Sequence, residues 1–553
     1  MTLLPFLGLT DFHTKGEPRE AIVAYSMLDT GNWILPSNAG GDMAYKPPFF
    51  HWCIAALSLP FGEVSEYTSR LPSALALIFM MGALFLFFAK RIDPYKSFLA
   101  SLLCISSFEV HRAAMNARVD MVMTAFIVLA LIQLYKWWEN DLKGIPFWGI
   151  LFMSCGFLTK GPIGFLLPCG ATGLFLLFNR ISFLKTLGKM ALAALLSCIL
   201  PALWYYMAYQ QGGQEFLDLV MEENFGRFLG KMSYDSHVRP ASYNFVTVFS
   251  GYIPWTLLVL FTLFVLPYRR MRLNFAKIWS DIRDWFYRVD RARLFSLLTI
   301  VVIFIFYCIP KSKRSVYLLP IYPFIGLFLA DLAEWLIKYK VRVWKVFGWV
   351  ISGITVLALA LLALIKTNLL EPEHFLSPQT AAKLSQHTDA LQTAPLTFIS
   401  VVSIIVALTF VFAFVRDIRF KMIGAKLMFS VIGLVFGMQI LLDGTLQPAI
   451  LNYKSTKGFA AEVAAIVPEG KVYGFINDRF LRYYIINYYI DNRVYQFEDE
   501  MPREGYLLLG ENTYPLIQER YGNEYEFAPV IRTPHNDTEL KDYIILYQFK
   551  KIK

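Results

Sequence analysis

Several charged residues in this chain are surrounded by apolar sequence, which is where chemistry is sought first. Asp120 lies in NARVDMVMTAF at the end of an apolar run, two residues after Arg118. Lys160 stands in LTKGP, and Lys311, Lys313 and Arg314 crowd a short link between two further apolar runs. A charge in or near hydrocarbon costs at least about 2.5 kcal/mol on insertion scales, so each asks for a partner. Asp120 reads either as half of a local ion pair with Arg118 or as a carboxylate facing a polar cavity. Lys160 reads either as a snorkelling lysine or as a ligand contact. With Lys46, these cations mark the membrane boundary at the level of a lipid phosphate, and anionic headgroups in general are the simpler partner.

A polar stretch from Lys15 to Trp52 lies beside otherwise apolar sequence. Glu17-Pro18 reads as a helix start, with the acid at the positive end of the dipole and proline at the first helical position. Ala21, Tyr25 and Leu28 follow at helical spacing, and Gly31 sits where a C-terminal cap is expected. The expectation is an extracytoplasmic catalytic loop, about residues 11–69, with Glu17 at its mouth and Lys46-Pro47-Pro48 opening a second apolar segment. A plain surface loop with a capping acid is the alternative. A second loop, 209–244, carries Glu222, Glu223, Asn224, Arg227, His237 and Arg239. His237 has a metal ligand's chemistry but no spaced partner. HExxH, P-loop and GxGxxG patterns are absent, which leaves nucleotide chemistry without support.

The elements that must position these residues are membrane helices. The chain has 553 residues, 56% of them hydrophobic, and a mean hydropathy of +0.47, too apolar for an ordinary soluble protein. Runs long enough to span occur near 70–89, 97–112, 118–136, 146–159, 162–179, 187–208, 245–267, 294–310, 315–337, 344–366, 396–415 and 424–443. Met1 to Leu9 is apolar but would rise only about 13 Å, so it reads as a stub of a first span with the rest missing. With it the count is about 12–13 transmembrane helices. If the first loop faces outward, the basic segments at 90–91, 180–189, 269–293, 338–345 and 416–426 all fall inside. The net charge of +10 therefore reads as topology, and no basic tract interleaved with aromatics suggests nucleic acid. The six cysteines show no CxxC spacing and do not fix a redox compartment. After about residue 450 strand-like and helical runs alternate, predicting a small extracytoplasmic α/β domain over 451–553 behind a membrane domain over 1–450.

In order, GEPREA, TGNWILP, YKPPFFHW, FGEVSEYTSRLPSAL, ARVDM, LTKGP, EENFGRF, SHVRP, GYIPW and KSKRSVYLLPIYP resemble the membrane glycosyltransferases that use polyprenyl-phosphate sugars. These form the protein O-mannosyltransferase-like superfamily of GT-C fold, and the resemblance within it is to the aminoarabinose transferases of lipid A. It implies a bacterial inner-membrane enzyme moving sugar from a polyprenyl-phosphate donor to a lipid or glycan acceptor, inverting the anomeric carbon in a single displacement. It places catalytic roles on Glu17 and Asp120. Of the substrate-binding candidates it carries over Lys46 and Lys313; Arg19, Arg118, Lys160, Arg227, His237, Lys311 and Tyr317 complete the expected set. Two departures stand out: Gly16 replaces the Asp of the usual Asp-Glu pair, and Tyr45 replaces the acid that precedes the lysine in the aminoarabinose enzymes. They weaken a metal site, although the resemblance leaves room for a divalent cation; no cofactor is certain. A transporter of lipid-linked sugars, or a transferase acting on protein or polysaccharide, is the alternative.

Overall fold

A computed structural model describes residues 2–222, 238–266, 275–369, 378–476 and 483–552. The first helices are α1 (Gly16–Thr30), α2 (Phe49–Ser58), α3 (Glu66–Arg91), α4 (Pro94–Ile105), α5 (Phe108–Ala114), α6 (Val119–Glu139), α7 (Phe147–Lys160) and α8 (Ile163–Phe178). Among the described residues eight helical segments are long and apolar enough to cross a membrane, and the apolar pair Ser242–Gly251 and Trp255–Leu263 is bent by 104°, the geometry of a broken span or a re-entrant loop. Pro254, which has no N–H to continue the helical ladder, lies in that bend. Shorter apolar helices, α4, α7 and α8 among them, complete a polytopic helical bundle.

Local chemistry explains the boundaries. α1 ends at Gly31, whose φ of 69° is the left-handed cap that its sequence predicts. α3 opens with a capping box: the Thr68 N–H donates to Ser65 Oγ at 3.2 Å and the Ser65 N–H to Thr68 Oγ1 at 2.8 Å. The run expected as one span over 97–112 is broken into α4 and α5 at Ser106-Ser107. There the Ser106 hydroxyl accepts the Trp255 indole N–H at 3.0 Å, and the Phe108 N–H bonds the Ile253 carbonyl at 2.8 Å. The run expected to end at residue 208 continues as helix past that point, kinks at Gly213, whose φ is 56°, and resumes to Met221. The N-terminal apolar residues form a single turn, Leu4–Phe6, with Leu3 and Leu7 buried in the main bundle core.

α7 and α8 form a close hairpin. A Cβ at Gly164 would overlap the backbone of Gly156 and Phe157, so the two helices touch backbone to backbone, as small residues permit in membrane bundles. This contact fixes Lys160 at the tip of the hairpin. The far end of the bundle is tied by Arg91 with Glu139 and by Arg293 with Asp331 at 2.8 Å. At a rise of 1.5 Å per residue, α6 separates Glu139 from Asp120 by about 30 Å.

From Lys457 on the chain forms a five-stranded sheet with flanking helices. Its strands are β1 (Val472–Gly474), β2 (Val494–Gln496), β3 (Glu504–Gly510), β4 (Tyr525–Arg532) and β5 (Ile544–Lys551), in the order β2-β1-β3-β5-β4. β1 is parallel to β2 and β3, whereas β5 is antiparallel to β3 and β4. Successive residues of β3 face opposite layers: Leu508 packs with Phe459, Val463 and Ile486, and Leu507 and Leu509 pack with Ile517 and Phe549. Helix Tyr484–Tyr489 docks this domain on the first loop. The Tyr488 hydroxyl donates to the Val64 carbonyl at 2.6 Å, and the Tyr489 hydroxyl accepts the Phe12 N–H at 2.9 Å while donating to Glu66 Oε1 at 2.7 Å.

Substituting Gly164→Ala forces the hairpin apart and is expected to cost about 1–3 kcal/mol, the usual range for overpacking. Gly149→Ala serves as the control, because its Cβ would meet only side chains at 3.4 Å or more. Thermal unfolding of the two detergent-solubilised variants checks the difference; equal stability would show that the hairpin contact is slack.

Candidate functional site

The first turn of α1 is buried, with Glu17 2% and Glu20 4% exposed. Arg70, one turn into α3, grips Glu17 with Nε on Oε1 at 2.8 Å and Nη2 on Oε2 at 3.0 Å. The Ala117 N–H adds a third hydrogen bond to Oε1 at 2.8 Å. Arg70 Nη1 reaches the Leu7 carbonyl at 2.7 Å and the Thr10 carbonyl at 2.6 Å, and the guanidinium lies 5.3 Å from the centroid of Phe12. Burial opposes ionisation of Glu17, but the Arg70 guanidinium outweighs it and holds the carboxyl below its ordinary range. So placed, Glu17 is a carboxylate engaged on both oxygens by Arg70 and on one by the Ala117 N–H. Glu20 is held well below the ordinary range: burial again opposes, and Arg19 and His51 prevail, their nitrogens 2.6 and 2.7 Å from its two oxygens.

Below this layer lies a second, more open cluster. Asp120, 2% exposed, sits in the first turn of α6, where the helix dipole favours an anion. Lys160, the last residue of α7, binds its Oδ1, and Arg118 and Arg314 are its next electrostatic neighbours. The Lys160 ammonium also lies 4.6 Å from the centroid of Tyr317, on the short 3-10 segment Ser315–Ile321. Arg118 reaches up to α1: a Cβ at Gly16 would collide with its Nη1. The space of the missing acidic side chain at Gly16 is therefore filled by a guanidinium. Lys160 keeps 22% of its side chain exposed, whereas Arg70 keeps 2%.

The other expected contacts distribute differently. Lys46 is half-buried and lies 5.9 Å from the Tyr45 centroid; Tyr45 and Phe49 share an apolar cluster with Leu158, two residues before Lys160. Arg19 turns to Glu20. Lys311 is exposed and its carbonyl accepts the Arg239 N–H at 3.1 Å. Lys313 is buried, its ammonium folded onto the Pro310 carbonyl. Arg227 and His237 lie outside the described residues.

Sequence reasoning missed Arg70, the Glu20–His51 pair, and His111 with Asp443, whose Nε2 and Oδ2 are 2.6 Å apart. The signal was present, since Arg70 and Asp443 interrupt apolar runs as Asp120 does. Among the described residues no three His, Cys, Asp or Glu side chains converge on a common point, and the electrostatic neighbours of Asp120 are cations, Lys160, Arg118 and Arg314, with the Arg112–Glu109 ion pair also within its field. This donor set does not fit a divalent cation, and no chemical step is assigned to one.

Known proteins share this architecture. A profile of the family described as dolichyl-phosphate-mannose-protein mannosyltransferase matches residues 45–205. An uncharacterized protein of Aquifex aeolicus is 29% identical over 360 residues, 64% of this chain and 66% of that protein, just under two thirds of its length. An undecaprenyl phosphate-alpha-4-amino-4-deoxy-L-arabinose arabinosyl transferase of Pseudomonas savastanoi is 29% identical over 409 residues, 72% of each chain. The crystal structure of ArnT from Cupriavidus metallidurans bound to undecaprenyl phosphate superposes with a TM-score of 0.70 at 17% identity, covering 99% of this chain and 96% of that one. The shared fold is the GT-C membrane fold, and the resemblance read from the motifs is borne out.

A depressed carboxyl contributes stability above its unfolded pKa, about 4.3 for glutamate, and loses it as the pH falls through the lower folded value. The stability gap between the native protein and Glu20→Gln is therefore expected to be fully open at neutral pH and to close below about pH 4. Unfolding midpoints measured from pH 7 to 3 check this; a gap independent of pH would mean that the amide loses packing rather than charge. Arg70→Ala, which strands Glu17 in a buried site, is expected to cost about 3–5 kcal/mol.

Proposed function

We propose that this chain, a multi-pass membrane protein of GT-C fold, is a glycosyltransferase that moves a sugar from a polyprenyl-phosphate donor to an envelope lipid or glycan, lipid A being the model acceptor. The observation that carries this reading is the pair of unlike ion clusters at one end of the bundle. The Glu17–Arg70 pair is closed and dry, so it builds the site. In the Asp120 cluster Lys160 remains partly exposed, so it can exchange Asp120 for an incoming phosphate.

The donor's phosphate is held by Lys160 and Arg118, with Lys46 from the adjoining loop. Charge accumulates on that phosphate as its bond to the anomeric carbon breaks, and fixed cations in a water-poor site stabilise it without reorganising. Asp120 keeps Lys160 and Arg118 positioned while the site is empty of donor, and accepts one of their charges back when the lipid phosphate leaves. Glu17 acts through its partners: it anchors α1 to α3 and, through the Ala117 N–H, fixes the chain just before Arg118. An acceptor that is itself a phosphate needs no general base; a hydroxyl acceptor would draw on the carboxylates of α1. A single displacement inverts the anomeric centre. The acceptor approaches from the side bearing α1 and the C-terminal domain, which this reading places outside the cytoplasm.

Lys160→Ala is expected to lower turnover by about 10²–10³-fold, the scale of removing one transition-state donor, in proteoliposomes supplied with a polyprenyl-phosphate sugar. Mass spectrometry of envelope lipids and glycans from cells with and without the gene identifies the acceptor by a lost sugar mass. Translocation of the donor without product would replace the transferase reading by a transporter.

A further inference from the structure

Tyr307, on the last turn of helix Arg291–Cys308, presents a buried hydroxyl that has no hydrogen-bond partner among the described residues. The residue is 4% exposed. Burying a hydroxyl without a partner is costly, so native proteins rarely retain one without a use. Phenylalanine would fill the same apolar position without that penalty.

The surroundings of Tyr307 indicate the use. Its ring stacks on that of Tyr317, with centroids 5.3 Å apart and planes 26° from parallel. Tyr317 is the ring over which Lys160 lies, and Tyr317 and Asp120 are the electrostatic neighbours of the Tyr307 hydroxyl. Its backbone is equally constrained: the Asn244 side-chain amide, itself 2% exposed, donates to the Tyr307 carbonyl at 3.0 Å. The ring is thus fixed by stacking and the main chain by Asn244, while the hydroxyl beside the Asp120 cluster is left uncommitted.

We infer that Tyr307 is a donor-positioning residue, whose hydroxyl donates a hydrogen bond to an oxygen of the donor's phosphate when that phosphate displaces Asp120 from Lys160. This rests on the function proposed above. A phenol suits the position because it offers a directed O–H without adding another cation to those already near Asp120, and because its ring remains at home in apolar packing. The sequence signal is faint: a tyrosine at the end of an apolar run is ordinarily an interfacial anchor.

The test compares the full-length native protein with Tyr307→Phe and Lys160→Ala, using undecaprenyl phosphate as the probe and inorganic phosphate as a second ligand. Tyr307→Phe is expected to leave the ligand-free unfolding midpoint unchanged or raised, to weaken undecaprenyl phosphate binding by about 10-fold, a typical worth of one charge-assisted hydrogen bond, and to raise KM for the donor more than it lowers kcat. Weakened binding of inorganic phosphate as well would place the contact on the phosphate; weakening confined to the lipid form would overturn that assignment. Unchanged affinity in Tyr307→Phe, with Lys160→Ala impaired, would overturn this inference alone. No binding by the native protein, or none lost in Lys160→Ala, would overturn the proposed function beneath it. A lowered midpoint with unchanged KM would assign Tyr307 to packing.

Discussion

A buried guanidinium must have its N–H donors satisfied, and in this protein that requirement falls on Arg70. Its donors draw together the carbonyls of Leu7 and Thr10 and both oxygens of Glu17. Because Glu17 also receives the Ala117 N–H, one side chain fixes the N-terminal segment, the start of α1 and the turn before α6. Truncating either member would leave an uncompensated charge in a dry site, so the arrangement is held by the penalty for breaking it rather than by a large net attraction. Two residues of the second cluster are direct chain neighbours of this joint: Gly16 before Glu17, and Arg118 after Ala117.

The two acidic centres show how burial of the partner decides a carboxylate's role. Glu17 and Asp120 are each 2% exposed, yet the arginine on Glu17 is sealed and the lysine on Asp120 is not. The first pair is a joint, because exchange would expose a desolvated cation. The second is a counter-ion pair whose lysine still meets solvent, with Arg118 among its electrostatic neighbours. Gly16 contributes by absence, since the Arg118 guanidinium occupies the space of a Cβ there and would have to move aside for any side chain.

The C-terminal domain is part of this framework rather than an appendage. Phe12, over which Arg70 lies, packs edge-on against Tyr488 with centroids 4.8 Å apart. Lys457 reaches Asp11 at 2.9 Å and Glu66 at 3.0 Å, and Tyr484 is buried with Ile22 of α1. The same loop residues that enclose Arg70 therefore carry the sheet domain, coupling its placement to the first turn of α1.

The sequence alone determined the features that local rules and solvent impose. Apolar runs declared the membrane bundle, Gly31 the end of α1, the alternating C-terminal runs the small sheet domain, and the acid at Asp120 with its basic companions a charged cluster set in apolar sequence. Periodicity could not reveal where an apolar run breaks when side chains from distant helices satisfy its backbone and hydroxyls, as at Ser106-Ser107. Nor could it assign partners. Whether Glu17 is free or locked depends on Arg70, and whether Lys313 faces substrate or its own backbone depends on how the chain folds back there. Charges separated by tens to hundreds of residues pair only after packing has expelled water between them, so the tertiary structure alone decided which carboxylate took a sealed cation and which a partly exposed one.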